Sequence, residues 1–220
     1  MTETPMIETY ASHAALADAV ANAVADAIRV GNAQNMHSTL VATGGRMPGP
    51  VYDRLSKLDL EWGRVVVTLS DDRLVPDTHP ESNVKLLKDR LLIDEAAVSR
   101  FLPLTEDAED ALWAQSPFDA VMLGMGEDGH IAALIPGSPL VPDAMNPDDE
   151  RWVVSMPAGY GSPPLARISM TFAALLQSRA IFLLIAGEKK REVLEGEGLP
   201  VHALLAQDRV PVRVFWSPDI

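Results

Sequence analysis

The stretch most able to do chemistry is Gly124-Met125-Gly126-Glu127-Asp128-Gly129-His130. A histidine on a tight glycine loop can act as a proton acceptor, because imidazole titrates nearer neutrality than other side chains. A carboxylate bonded to one ring nitrogen fixes the tautomer and frees the other nitrogen as the base. Asp128 stands two residues away, and Asp71 is a second acid that could serve. Backbone N–H groups near Gly124 and Gly126 could donate to a developing oxyanion. A lone histidine is more often structural than catalytic, so the reading rests on loop position and the neighbouring acid together. The glycines also spell Gly-x-Gly-x-x-Gly, the dinucleotide-binding spacing. That assignment needs a long helix next, and Pro136 interrupts it. Where a ribose-binding acid is expected after a strand, Asp148-Asp149-Glu150 precedes one.

Three other segments could supply cations and anion donors. Thr43-Gly44-Gly45-Arg46-Met47-Pro48 follows an apolar run and opens a helix, a place where backbone N–H groups approach an anion and Arg46 could grip a phosphate. A plain strand-to-helix turn with a solvated arginine fits those residues equally. Ser70-Asp71-Asp72-Arg73-Leu74-Val75-Pro76, followed by Glu81-Ser82-Asn83, sets carboxylates beside a guanidinium. It is either a sugar-binding loop or a surface ion pair before a helix cap, for which Ser82 or Asn83 is suited. Arg167-Ile168-Ser169-Met170-Thr171 and Gly187-Glu188-Lys189-Lys190-Arg191 add cations late in the chain. Gly-x-Ser-x-Gly is missing, and so is cysteine, which leaves no nucleophile of the usual types. His13, His37, His79, His130 and His202 are scattered without metal-ligand spacing, so no metal is expected.

These residues need a scaffold. Leu16, Val20, Val24 and Ile28 recur every four positions, predicting a helix over Ser12–Val30 closed by Gly31 and Asn32. Short apolar runs at Ser38–Ala42, Val65–Leu69, Ala120–Leu123, Trp152–Ser155, Ile181–Ile185 and Val212–Trp216 predict strands. Helical stretches at Val84–Leu92, Asp107–Ala114 and Lys189–Glu195 lie between them. Alternating strands and helices give an α/β fold, three-layered, with a mainly parallel sheet flanked by helices. Ligands in such sheets sit beyond the carboxyl ends of the strands, where the segments above fall.

The 220 residues fit a single domain over 1–220, able to bury roughly 70–75% of its unfolded surface. A net charge of −13 argues against nucleic acid and anionic membranes as partners. Charges are screened within about 8 Å at physiological salt, so a few local cations can still hold a phosphate. Lack of cysteine suits a reducing compartment. Met1–Tyr10 reads as no secretory signal, and the longest apolar run, Ala180–Ala186, is too short to span a bilayer.

In order and spacing these segments resemble the 6-phosphogluconolactonase family across almost the whole chain. Asp71-Asp72-Arg73-Leu74-Val75-Pro76 is similar to its Asp-Glu-Arg-x-Val-Pro motif, and Ser82-Asn83 to the Ser-Asn that follows. Gly124–Gly137 resembles Gly-Met-Gly-x-Asp-Gly-His-Thr-Ala-Ser-Leu-Phe-Pro-Gly. Arg167–Thr171 resembles Arg-Ile-Thr-Leu-Thr, and Gly187-x-x-Lys190 the later Gly-x-x-Lys. The resemblance implies a Rossmann-like fold of the sugar-phosphate isomerase/lactonase type. It also implies cofactor-free hydrolysis of 6-phospho-D-glucono-1,5-lactone in the pentose phosphate pathway, in the cytoplasm, by a monomer or small homo-oligomer. The chain departs from the pattern at Gly44-Gly45-Arg46-Met47-Pro48, where the family has Gly-Gly-Ser-Thr-Pro, and at Ile131 and Ala133, where it has Thr and Ser. A sister group, the glucosamine-6-phosphate deaminases, continues after the histidine with Ile-Ala-Phe-Asn-Glu-Pro. Here Ile135 holds the position of that proton-relaying glutamate, and Arg73 that of a tyrosine. A third reading is a sugar-phosphate-binding regulator without turnover.

Overall fold

Apolar runs and capping residues divide the chain into alternating strands and helices. The computed structural model describes residues 7–219; residue 220 lies outside it, as do residues 1–6 of the stretch read above as no secretory signal. In chain order the elements begin β1 (Ile7–Thr9), α1 (His13–Asn35), β2 (Ser38–Ala42), α2 (Gly49–Leu55), β3 (Val65–Leu69), β4 (Asp71–Arg73) and α3 (Asn83–Arg90). Next are β5 (Arg100–Phe101), α4 (Glu109–Trp113), β6 (Ala120–Gly124), α5 (Val141–Ala144), β7 (Val153–Met156) and β8 (Arg167–Met170). The chain closes with α6 (Phe172–Leu175), β9 (Ile181–Ala186), α7 (Glu188–Val193), α8 (Pro200–Ala206) and β10 (Val212–Ser217).

Seven strands form one parallel sheet in the order β1-β10-β9-β6-β2-β3-β5. Every residue of β2, β3 and β9 is buried, so both faces of the sheet's middle are covered by flanking layers. Leu16, Val20, Val24 and Ile28 of α1 are fully buried, each contributing about 1.5–3 kcal/mol of apolar burial. A second sheet, β4-β8-β7, is antiparallel. The apolar run at Trp152–Ser155 therefore joins this smaller sheet rather than the main one. Asp71–Arg73, expected as a loop, is one of its two edge strands.

The first helix runs past its expected end. Ser12 caps its start, Oγ accepting from Ala15 N–H at 3.2 Å. Gly31 and Asn32 do not close it. Gly31 lies where α1 meets Asp119 and Ser38 too closely for any side chain, and the Asn32 amide donates to the Leu60 carbonyl at 2.8 Å. Both residues serve packing, and the left-handed turn that ends the helix falls at Met36, φ 65°.

The strand order places the loops. From β2 the chain runs outward to β3 and β5, then returns to lay β6 on the other side of β2, followed by β9 and β10. The reversal between β2 and β6 opens a crevice at their carboxyl ends. The loops after β3, β2, β6 and β9, four adjacent strands, rim that crevice.

Candidate active site

A cleft of about 530 Å³ occupies the crevice. From β2 it receives Gly44, Gly45 and Arg46, and from the segment after β3 it receives Asp71, Arg73 and Asn83. Gly124, Gly126 and His130 come from β6 and its loop, Arg167 from β8 and Lys190 from α7. Asp128 is not in the wall but stands behind His130.

The His130 loop is closed by its own backbone. Gly126 N–H donates to the His130 carbonyl at 3.0 Å, and Gly129 N–H to the Gly126 carbonyl at 3.1 Å. Gly129 takes φ 75°, and a Cβ on Gly126 would overlap the Asp128 carboxylate and the His130 ring. No long helix follows, which agrees with the rejection of a dinucleotide site. Asp128 Oδ1 lies 2.5 Å from His130 Nδ1 and also accepts from His130 N–H at 3.3 Å. A carboxylate only accepts, so Nδ1 carries the proton and Nε2 is the free base. Burial pushes the Asp128 carboxyl up, but its bonds to His130 and the ring's charge prevail and hold it below the ordinary range. Asp71 does not reach the ring; its Oδ1 accepts from Ser70 Oγ at 3.0 Å. One expectation needs correcting. Gly126 N–H is taken by the His130 carbonyl and is no oxyanion donor.

The loop after β2 presents donors. Among the described residues nothing accepts from the N–H groups of Gly44, Gly45 or Arg46, all three at the cleft. Thr43, just before them, is held by Tyr52 of α2. The buried phenol donates to the Thr43 carbonyl at 2.6 Å and accepts from its N–H at 2.9 Å. Burial pushes the Tyr52 pKa up, so the phenol stays protonated. Arg46 is exposed on the rim. Lys190, half-buried, donates to the Met125 carbonyl, joining α7 to the His130 loop. Burial lowers its pKa, and of the nearby charges Glu127 opposes that shift while Arg46 adds to it. Lys189 points away, exposed and 4.0 Å from Glu127.

Arg73 and Arg167 are register partners across β4 and β8. Arg73 Nη1 donates to the Glu81 carbonyl at 2.6 Å and lies 3.2 Å from its carboxylate. Arg167 Nη2 donates to the Pro163 carbonyl at 3.1 Å. Neither Nε has a partner among the described residues. Burial, then the charge of Arg73, lowers the Arg167 pKa. Arg167 is buried and Arg73 only partly so, with Glu81 meeting its charge; both line the cleft, where an anionic or oxygen-rich ligand would offset their like charge. Asp72 faces away from the cleft and accepts from the N–H groups of Asn83 at 2.6 Å and Val84 at 3.2 Å, fastening α3. Ser82 is the N-cap of that helix, accepting from Lys85 N–H at 3.2 Å.

Sequence reasoning missed Tyr52 and the loop carrying Ser162 and Pro163, which also lines the cleft. Tyr52 gave no signal beyond its place in a helix. The run Gly159-Tyr160-Gly161-Ser162-Pro163-Pro164 marks a loop by composition, and only β8 pairing with β4 swings it over the site.

The family model described as glucosamine-6-phosphate isomerases/6-phosphogluconolactonase matches residues 11–216. The chain is 38% identical to a 6-phosphogluconolactonase of Caulobacter vibrioides, over 96% of this chain and 97% of that one. It is 36% identical to one of Rhizobium meliloti, over 95% and 97%. A crystal structure of a 6-phosphogluconolactonase from Shewanella baltica superposes with a TM-score of 0.90 at 30% identity, covering 99% of both chains. With nearly its whole length matched by the model and by these relatives, the chain belongs to the glucosamine-6-phosphate isomerase/6-phosphogluconolactonase family.

Proposed function

We propose that the chain is a single-domain 6-phosphogluconolactonase, hydrolysing 6-phospho-D-glucono-1,5-lactone to 6-phospho-D-gluconate in the pentose phosphate pathway. The observation that carries this is the His130–Asp128 couple, with Nε2 free, in a cleft that also presents cations and open N–H groups. The N–H groups of Gly44, Gly45 and Arg46, with the side chains of Arg46 and Lys190, take the phosphate. The guanidinium groups of Arg73 and Arg167, which line the cleft, take the sugar oxygens and the lactone carbonyl, and Asp71 and Asn83 complete that wall.

His130 Nε2 removes a proton from water as its oxygen bonds to the lactone carbon. The carbonyl oxygen becomes an oxyanion facing the guanidinium donors. Collapse breaks the bond from carbon to ring oxygen, and the imidazolium returns the proton to that oxygen. The resulting carboxylic acid ionises and releases a proton. These steps use neither a cofactor nor a metal. Ile135, where deaminases carry a glutamate, is buried and apolar and cannot relay protons. The same reading makes it a cytoplasmic enzyme acting on a small sugar phosphate, a monomer or small homo-oligomer; the −13 net charge supports the lack of a nucleic-acid partner. No helix among the described residues is long and apolar enough to cross a membrane.

The test is acid release from freshly prepared lactone, read above its spontaneous hydrolysis. We expect chelator-insensitive turnover and no ammonia from glucosamine 6-phosphate. Ammonia without acid release would make the deaminase reading correct. Binding of both compounds without turnover would make the chain a regulator.

A further inference from the structure

His202 is outside the cleft, yet one of its bonds reaches α7, which carries Lys190, and the other closes the start of its own helix, α8, which packs against the His130 loop. It is the third residue of α8, whose N-cap is Leu199. Its Nδ1 accepts from Leu199 N–H at 3.0 Å, and its Nε2 lies 2.6 Å from the Val193 carbonyl. An amide N–H only donates and a carbonyl only accepts, so the ring is neutral with its proton on Nε2. The connection between the two helices passes close by, a Cβ on Gly196 lying 3.2 Å from His202 Cε1.

Both bonds lead to the proposed chemistry. Val193 ends α7, the short helix that carries Lys190. Leu199 and Val201 meet the His130 loop. Val201 N–H donates to the Gly129 carbonyl at 3.1 Å, and a Cβ on Gly129 would lie 2.7 Å from Leu199 Cδ1. Gly129 is bonded directly to His130 in the chain. In a capping box the third helical residue accepts from the N-cap N–H, usually through Glu or Gln. A carboxylate could make that bond but could not donate to Val193. A neutral imidazole makes both.

We infer that His202 is a positioning residue, spacing the Lys190 helix from the His130 loop by tying the end of the one to its own helix, which braces the other. The inference rests on the roles proposed for Lys190 and His130.

Three variants separate its parts. His202→Ala removes both bonds, His202→Glu keeps only the acceptor, and His202→Gln keeps an acceptor and a donor. The expected result is a fall in lactone kcat/KM of about tenfold in the Ala and Glu variants, with most of it restored in Gln. Hydrogen exchange of residues 124–135 should quicken in Ala and Glu and return toward wild type in Gln. Wild-type kcat/KM in His202→Ala overturns the inference whatever the exchange. Equal losses in Ala and Gln also overturn it, because ring volume rather than bonding would then be responsible. If the wild-type protein does not hydrolyse the lactone, the proposed function fails by itself. Exchange in residues 124–135 then decides whether His202 braces the loop, unchanged rates refuting it.

Discussion

The side-chain amide of Asn83 occupies the space that a Cβ on Gly44 would need, and it is held there by donating to the Asp71 carbonyl at 2.8 Å. The loop after β2 and the segment after β3 are thus fitted to each other at one glycine. Gly44→Ala should displace Asn83, break that bond and destabilise the fold by about 1–3 kcal/mol, with a raised KM. Asn83→Ala makes room, so the double variant should lose less than the two singles added together. Thermal unfolding of the four proteins measures the difference. Strict additivity would show that the two residues do not compete for space. Gly45 meets nothing within 4 Å but has φ 93°, so Gly45→Ala should cost backbone strain of about 1–2 kcal/mol and show no coupling to Asn83.

His130→Asn should keep the fold and lower kcat by about 10²–10⁴-fold, the usual contribution of a general base. Asp128→Asn should act in the same direction by a smaller factor, since the Asp128 side chain is 44% exposed and water can partly replace it. Steady-state rates with the lactone, corrected for spontaneous hydrolysis, check both. A His130 variant at near wild-type rate would remove the mechanism.

Arg46→Ala and Lys190→Ala should mainly raise KM, because a phosphate is held alike in the ground and transition states. Each loses a charge-assisted contact of about 1.5–3 kcal/mol, whereas Lys189→Ala should change little. Lys190 also sets a pH dependence. Burial lowers its pKa, so the buried ammonium gives up its proton before an ordinary lysine does, below about 10.4. Phosphate affinity is therefore full below that lowered value and falls as pH rises through it. Lys190→Arg should flatten the alkaline rise in KM. A KM that is constant up to the ordinary lysine range would contradict it.

Tyr52→Phe removes one oxygen that is both donor and acceptor for Thr43. The Thr43 N–H and carbonyl would lose their partner in a buried site, costing about 1–3 kcal/mol. The Gly44-Gly45 backbone would also lose its anchor. The expected readout is a lower Tm together with a raised KM and little change in kcat. A fall in kcat at unchanged KM would place Tyr52 in a different role.

Periodicity and loop position made the parallel sheet legible, because β2, β3, β6, β9 and β10 are short, mostly apolar runs between turn residues. The cleft was legible for the same reason, chemistry-bearing residues following those runs directly. What stayed hidden depends on contacts between distant segments. Gly31 and Asn32 carry the composition of a helix end, yet their tertiary neighbours, Asp119 and Leu60, make them packing residues within a helix. The pairing of Arg73 with Arg167 needs the antiparallel register of β4 and β8, which strands of three and four residues are too short to announce. The occupied N–H of Gly126 follows from the closure of a loop that the glycine spacing permits but does not dictate.

Because β6 is seated between β2 and β9, the cleft exists only once the chain has been threaded into that order. Its parts extend from Gly44 to Lys190, so the pairings that create it join residues far apart in sequence, which fold slowly. A refolding intermediate holding only β2 and β3 would be spectroscopically structured and enzymatically silent. During synthesis the nascent chain stays inert until β9 and α7 have left the ribosome and docked. Recovered turnover is therefore a reporter of completed topology, and in a refolding experiment it should trail the return of far-ultraviolet ellipticity.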